Sequence, residues 1–583
     1  MAKKIKSRTY GWVQNPSDFN KLKKVVQIFD SESAQYSMLR DELIDKFIPN
    51  LQIKSALKEK FNKGIEVFSY SELVGGMTDS NGKSVDGRKG AVADGIIQLT
   101  VPSQGVDTQG KVWTDNWTAD GYLRWALSLN FVKHDRFTDQ CRITDFGLKF
   151  ARCCSEEEEI EILRKALLSY PPASRVLEIL SEQKGNSVTK FYIGDRLGFK
   201  GEPGFTSYDD SMMREWILGC NSSKEIAKIK SNVEGTGDKY ARMICSWLRK
   251  VDFVTRVNGP LILGVGCSGF PEYKITAQGE HALRKAKGSS CNKKITKYLT
   301  WEFLATKDGA EARDYVRSRR ANLLKTLNKS NDIEGLSQEL KKHGFNDAES
   351  VLEKDLEGLI NCGINITKNN NLYVLKDYIV DFSIPDSTSS FEKATSSSIN
   401  IKNELLDNTN LQAKYYEMVD IAYDGRRSRD LELMTVDLLR NVCGFQAKVL
   451  GGGRKPDGIA SYGNHGLIID TKAYKQGYGK NIGQEDEMVR YIEDNQQRDS
   501  SRNCNEWWSS FDEKVDTFYF LWVSSEFVGH FEEQLIETSK RTHAKGAAID
   551  IRQLLYIADA IMKNEMNLED FVNLIDNKVI EKF

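Results

Sequence analysis

Lys455-Pro456-Asp457, a gap of twelve residues, and then Asp470-Thr471-Lys472 assemble the side chains that metal-assisted phosphodiester chemistry needs. Leu467, Ile468 and Ile469 precede the second acid, and this short apolar, β-branched run reads as a strand buried on both faces. Side chains alternate along a strand, so Asp470 and Lys472 emerge on one face and Thr471 on the other. A carboxylate placed straight after such a run is costly to bury unless something positive receives it. Asp457, delivered by a neighbouring strand or turn, would complete a pocket of two acids and one amine. Two hard carboxylate oxygens suit Mg²⁺, which takes few protein ligands and keeps waters for chemistry. The metal would polarise a phosphoryl oxygen and lower the pKa of a bound water, while Lys472 positions that water and offsets the developing charge. The bland alternative for Lys472 is a lysine snorkelling from a strand end, which two nearby acids disfavour.

The elements that must hold these residues are readable on both sides of them. Residues 415–423 and 430–442 have helical periodicity, a helix is expected near 486–495, and 517–523 is an apolar strand. An Ile/Leu-rich helical end follows, which together predicts an α/β/α sandwich. Upstream, 384–412 is polar and serine-rich, with Ser387-Thr388-Ser389-Ser390 and Thr395-Ser396-Ser397-Ser398, and reads as a linker.

Before the linker lies a weak repeat. Residues 121–150 and 238–286 each run as an amphipathic helix ending at an aromatic-Val pair, a hairpin, and a basic-Ile-Thr-x-x-Gly segment that opens another helix. The two closing segments are Arg142-Ile143-Thr144-Asp145-Phe146-Gly147 and Lys274-Ile275-Thr276-Ala277-Gln278-Gly279. A fainter third copy lies at 320–377. That order is what a winged helix-turn-helix module produces, and its recognition helix enters the major groove. In the second copy Lys239 and Arg242 share one side of a helix, while Tyr240, Met243, Ile244 and Trp247 form the stripe expected to face the core. The organisation expected is three winged-helix-like units over 1–155, 156–295 and 296–383, a linker over 384–412, and a nuclease-type domain over 413–583.

The chain of 583 residues carries a net charge of −1, which hides an asymmetry. Residues 1–300 hold 46 Lys and Arg against 36 Asp and Glu, and residues 301–583 hold 36 against 47. The basic half can supply phosphate contacts; the acidic half would bind duplex poorly unless brought to it. Ten cysteines without CxxC spacing read as reduced thiols of a cytoplasmic protein. No apolar stretch approaches eighteen residues, and Met1 to Arg8 is basic without an apolar core, so neither a membrane span nor secretion is expected.

The acid–acid–lysine pattern resembles a PD-(D/E)xK nuclease core. More specific strings surround it. Gly451-Gly452-Gly453-Arg454-Lys455-Pro456-Asp457-Gly458, Asp470-Thr471-Lys472-Ala473-Tyr474 and Ile482-Gly483-Gln484 with Asp486-Glu487-Met488 resemble the cleavage domain of FokI-type type IIS restriction endonucleases. Gly11 to Pro16, Asp115-Asn116-Trp117 and the stretch Glu234 to Met243 resemble that family's recognition domains. The resemblance spans nearly the whole chain. It implies recognition of an asymmetric GGATG site on double-stranded DNA and a Mg²⁺-dependent cut of both strands at a fixed distance outside it. It also implies a cognate methyltransferase on a separate protein.

Residue by residue, the resemblance gives Asp457, Asp470 and Lys472 as catalytic, with Asp457, Asp470 and the Thr471 carbonyl as metal ligands. It gives Gln14, Asn15, Arg88, Gln104, Trp117, Asn232, Glu234, Asp238, Lys239 and Arg242 as DNA contacts. Arginine or lysine can bind guanine, Asn or Gln adenine, and carboxylates can accept from cytosine, which suits a G/A-rich site. Trp117 could meet a thymine methyl, although such a residue more often packs in a core. Asp486 and Arg490 at i,i+4 could form a local helix salt bridge; the resemblance implies instead that they link two cleavage domains in a transient homodimer. Two departures stand out: a shorter loop between the catalytic acids, and Val233 where the family has an aromatic. The rival readings are a winged-helix regulator with an inert nuclease-like domain, and a modification-dependent nuclease; the intact acid–acid–lysine set argues against the first.

Overall fold

The computed structural model describes residues 8–581, apart from 78, 80–82, 84, 86–90, 104–113, 219, 221, 263–266, 289–293, 307–309, 328–330, 370–371, 386–396, 425–426, 452, 475 and 480. The chain forms two compact units. One comprises residues 1–208, 234–260 and 270–392; the other comprises 209–233, 261–269 and 393–583.

In the first unit the repeat seen in the sequence becomes a repeated joint. The Asn116–Ser128 helix runs into the hairpin Val132–Asp135 and Gln140–Ile143, and the Asp145–Arg152 helix follows. The Thr236–Lys250 helix likewise leads to the antiparallel strands Val254–Val257 and Glu272–Ile275 and then the Ala277–Lys287 helix. Thr144 and Thr276 cap the closing helices, each hydroxyl accepting from the glycine N–H three residues on. Their own N–H groups donate to Phe131 O and Phe253 O at 3.0 Å in both cases. A Cβ on Gly147 would lie 1.9 Å from Phe131 O, and one on Gly279 would lie 2.1 Å from Phe253 O. The Ile-Thr-x-x-Gly signature is therefore a close-approach device: threonine caps the helix and glycine lets it press onto the preceding turn. The third copy has the Glu349–Asn361 helix and the hairpin Ile366–Asn369 with Leu372–Leu375.

Arg319 and Arg320, on the Ala310–Thr326 helix, are buried against Asp355 at 2.7 Å each, and this satisfied ionic cluster fixes the third copy internally. Tyr240, Met243, Ile244 and Trp247 are all buried, as their spacing requires.

In the second unit a six-stranded mixed sheet runs in chain order: Gln446–Val449, Gly458–Tyr462, His465–Lys472, Thr517–Ser524, Lys545–Asp550 and Lys578–Ile580. The first three strands pair antiparallel and the remaining pairings are parallel. Alternation divides the strands between two faces. Ile459, Ile468, Phe520, Trp522 and Ala548 cluster with Met488, Ile492 and Leu535 of the Ile482–Gln497 and Phe531–Thr542 helices. Gly458, one step out of phase with Ile459, sits against Val436 of the Ser428–Asn441 helix. The expected α/β/α sandwich results. Part of the stretch expected to be linker, 384–412, is instead the Ser397–Asn408 helix, whose Leu405 is buried and whose Glu404 binds Arg552 and Tyr556. Serine content masked that helical segment.

Cys141, Cys245, Cys362 and Cys443 are buried free thiols, and among the described residues no helix is long and apolar enough to cross a membrane. Gly279→Ala is expected to destabilise the chain by about 1–3 kcal/mol through the overpacking it forces. Gly483→Ala, whose Cβ meets only Asn481 at 3.5 Å, is expected to be neutral or mildly stabilising. Thermal unfolding of both variants checks this; an unshifted Gly279→Ala transition would refute the close-approach account.

Candidate active site and nucleic-acid interface

The acids and the lysine converge through sheet register. Gly458 pairs with Ile469 across the antiparallel ladder, so Asp457 stands one step further on, opposite Asp470. The Thr471 N–H donates to Asp457 Oδ2 at 2.7 Å and the Thr471 hydroxyl reaches the same oxygen at 3.2 Å. On the other face of the strand the Lys472 ammonium donates to Asp470 Oδ1. The two-residue spacing thus puts the amine on the acid, as strand geometry demands. The turn before Asp457 is held from outside: Asn503 donates to Arg454 O at 2.9 Å and Asn505 to Gly453 O at 2.7 Å.

An open cleft of about 450 Å³ is lined by Asp457, Thr471 and Lys472 together with Ser428, Glu432, Ala473, Tyr474 and Gln484, and Asp470 lies buried behind Lys472. Glu432, from the Ser428–Asn441 helix, is a third carboxylate that the motif did not reveal; an acid on a helix upstream has no fixed spacing to the strand pair. Burial and then the charge of Asp457 push Asp470 up to about 8. Glu432 rises to about 7 for the same two reasons, and burial also raises Asp457. Burial opposes the charge on Lys472, yet Asp470 and Asp457 hold its ammonium above the ordinary lysine value. Lys472, on Asp470, and Arg429, on Glu432, bring two positive charges to three carboxylates, so the cluster is short of positive charge. Hard carboxylate oxygens in an open, under-neutralised cleft fit a divalent cation. Among the described residues no three His, Cys, Asp or Glu side chains converge as a complete metal cage, so water would complete the coordination.

The expected DNA contacts fall mostly on the first unit. Trp12 packs between Phe205, Tyr240 and Phe303, and Trp247 Nε1 donates to Pro16 O at 2.9 Å. These anchors lay residues 12–16 along the Thr236–Lys250 helix, where Gln14 reaches the Tyr240 hydroxyl at 3.5 Å and Asn15 is exposed. Trp125 stacks on Trp247 with ring centroids 4.9 Å apart, bringing in the helix that carries Trp117. Trp117 is not in a core: it is 68% exposed.

Glu234 takes both Nε and Nη2 of Arg242, at 2.6 and 3.0 Å, and also accepts from the buried Lys190. Against the effect of burial, Arg242 and Lys190 hold the Glu234 carboxyl below the usual range. Lys239 is half-buried beside them. Asp238 departs from expectation. It is fully buried and accepts from Gly235 N–H at 2.8 Å, Tyr208 N–H at 3.2 Å and the Ser207 hydroxyl. Its carboxylate is consumed in capping the Thr236–Lys250 helix, so it fixes the helix that bears Lys239 and Arg242. Asn232 is exposed at the end of the Ser223–Asn232 helix, in the second unit. Arg88 and Gln104 lie outside the described residues.

Asp486 also differs from its simplest expectation. It pairs with Arg541 of the Phe531–Thr542 helix at 2.8 Å rather than with Arg490 along its own helix. Arg490 lies over Tyr491, and its buried Nε has no hydrogen-bond partner among the described residues. Ile482, at the start of the same helix, is 72% exposed.

Four family profiles match the chain: FokI recognition domain subdomain 1 over residues 8–153, subdomain 2 over 159–291, the FokI D3 domain over 304–371, and the FokI cleavage domain over 393–581. The chain is 37% identical to the type II restriction enzyme FokI of Planomicrobium okeanokoites over 98% of its own length and 99% of that protein. It is 27% identical to the type II restriction enzyme StsI of Streptococcus sanguinis, over 97% and 94% of the two chains. The solved structure of FokI bound to DNA superposes with a TM-score of 0.91, covering 99% of this chain and all of the other, and a further FokI structure gives 0.88. With recognition subdomains, a sandwich carrying the acid–acid–lysine cleft, and this likeness along its whole length, the chain belongs to the FokI family of type IIS restriction endonucleases, site-specific deoxyribonucleases that bind and cleave DNA.

Proposed function

We propose that the cleft around Asp457, Asp470 and Lys472 is where this endonuclease hydrolyses each DNA strand, with Mg²⁺ as its cofactor. The observation that carries the reading is the Lys472–Asp470 contact beside Asp457 in one open, under-neutralised cleft. Asp457, Asp470 and the Thr471 carbonyl would hold the metal. When bound, Mg²⁺ supplies Lewis acidity toward the scissile phosphate and a more acidic water. Lys472 orients the attacking water and stabilises charge that grows on the phosphate. Thr471 fixes Asp457 by its N–H and hydroxyl, so the acid is aimed before metal arrives.

Recognition belongs to the surface formed by Gln14, Asn15, Trp117, Lys239 and Arg242, with Glu234 orienting Arg242. Arg88, Gln104 and Asn232 are taken as DNA contacts on family likeness alone. Asp238 serves the same surface by capping its helix. The target is the asymmetric GGATG site, cut at a fixed distance. Asp486 and Arg490 follow the exposed Ile482 at i+4 and i+8 on one helix, and this face would join a second copy transiently so that both strands are cut. The enzyme would work in the cytoplasm beside a separate methyltransferase. The domain limits are those of the three recognition modules followed by the cleavage sandwich.

Asp457→Ala and Lys472→Ala are expected to lower plasmid cleavage by at least about 100-fold while site-specific binding in a gel shift is retained. Nicking at the wild-type rate in either variant would rule out this cleft. Digestion with and without Mg²⁺, followed by sequencing of the ends, tests cofactor, target and cut distance together; ends unrelated to GGATG would overturn that target. Asp486→Ala with Arg490→Ala is expected to leave recognition intact, slow double-strand cutting and accumulate nicked plasmid. An unchanged dependence of cutting on enzyme concentration would remove the pairing role.

A further inference from the structure

Arg429, in the second unit, carries two buried donors that no acceptor among the described residues receives. It lies on the Ser428–Asn441 helix between Ser428 and Glu432, both of which line the catalytic cleft. Its Nη1 donates to Glu432. Among the described residues its buried Nε and Nη2 have no hydrogen-bond partner. A buried donor left unpaired keeps its full desolvation penalty, and an orphan of this kind in a native fold calls for an explanation.

Three neighbours show that the position is built rather than accidental. The Trp216 ring, from the Asp210–Leu218 helix, lies over the guanidinium with 4.1 Å between its centroid and Cζ. Gly451, just upstream of the catalytic acid, has φ +42°, and a Cβ there would fall 1.7 Å from Arg429 Nη1. The positive charge of Arg429 is close enough to act on Asp457 as well as on Glu432. The Asp210–Leu218 helix is also tied to the sandwich by Glu215, which pairs with Arg440. A guanidinium has a planar fork of donors matched to two phosphate oxygens, and here Glu432 uses one branch of the fork while an indole covers it.

We propose that Arg429 is a phosphate-binding residue of the cleavage site: its free Nε and Nη2 receive a non-bridging oxygen of the DNA strand being cut, once Trp216 withdraws. Glu432 is then the positioning partner that keeps the fork turned toward the cleft, and Trp216 is its removable cover. Nothing in the acid–acid–lysine motif requires this arginine. The inference rests on the cleft being the cleavage site, and the two can fail separately.

The test uses the full chain with Mg²⁺ and oligonucleotide duplexes that carry the recognition site. Each duplex has a single phosphorothioate diastereomer at the scissile position. Arg429→Met is expected to bind the site as tightly as the wild type in a gel shift but to cut about 100-fold more slowly. One diastereomer should slow the wild type and lose that extra effect in Arg429→Met. Arg429→Lys, which keeps charge without the fork, should fall between the two and serves if the methionine variant does not fold. Trp216→Ala should raise nicking of DNA lacking the site by about tenfold. Wild-type cleavage by Arg429→Met, or undiminished sulfur sensitivity of both diastereomers in a slowed variant, would overturn the phosphate contact. Unchanged off-site nicking by Trp216→Ala would overturn the cover. Asp457→Ala run in parallel separates the causes: if it still cuts, the cleft itself is misassigned, whereas its inactivity beside an active Arg429→Met removes only the arginine's role.

Discussion

Carboxylates crowded at a strand end with a single ammonium are the constraint around which the second unit is organised. Desolvation penalises each acid, and the acids penalise one another. The protein answers with a few directional contacts: Thr471 N–H on Asp457 and Lys472 on Asp470. Both follow from strand geometry: the antiparallel pairing of Gly458 with Ile469 brings Asp457 opposite Asp470, and two-residue alternation puts Lys472 on the same side as Asp470. The remaining deficit of positive charge is what suits the cleft to the divalent cation proposed for it. A cluster that balanced its own charge would be more stable and chemically inert.

A second constraint acts in the first unit, where reading a sequence of bases requires side chains to be held before DNA arrives. Rigid placement lowers the ordering cost of association. The Trp12–Tyr240 ring contact and the Trp247–Pro16 hydrogen bond pin the N-terminal segment to the Thr236–Lys250 helix, and Glu234 holds Arg242 as a fork. The repeated threonine cap and pressed glycine give this helix and its counterpart the same exit, so the hairpins that follow leave at a fixed angle.

Much of this was legible in the chain. The apolar run at 467–469 announced a doubly covered strand, and all three residues are buried. The Tyr240, Met243, Ile244, Trp247 stripe announced its inner face. What escaped shares one cause: the partner lies on another element at no regular spacing. Glu432 and Arg429 come to the cleft from an upstream helix. Asp486 finds Arg541 rather than the neighbour four residues away, because a bond across packed helices competed with the local pair. Asp238 sits in a string that looks like a contact surface, yet a helix N-terminus with unpaired N–H groups claimed its carboxylate. The Ser397–Asn408 helix is hidden by a composition typical of linkers, and tertiary burial decides it.

Residues 209–233 belong to the recognition half by chain order and to the catalytic half by packing. The seam along the polypeptide therefore does not coincide with the seam in space. Grafting the portion from residue 393 onward to a foreign DNA reader would transfer the chemistry but strand Glu215 and Trp216 in the donor. Such a chimera would carry its scissors without the guard that natural evolution left embedded in the reader, and restraint would have to be engineered back by other means.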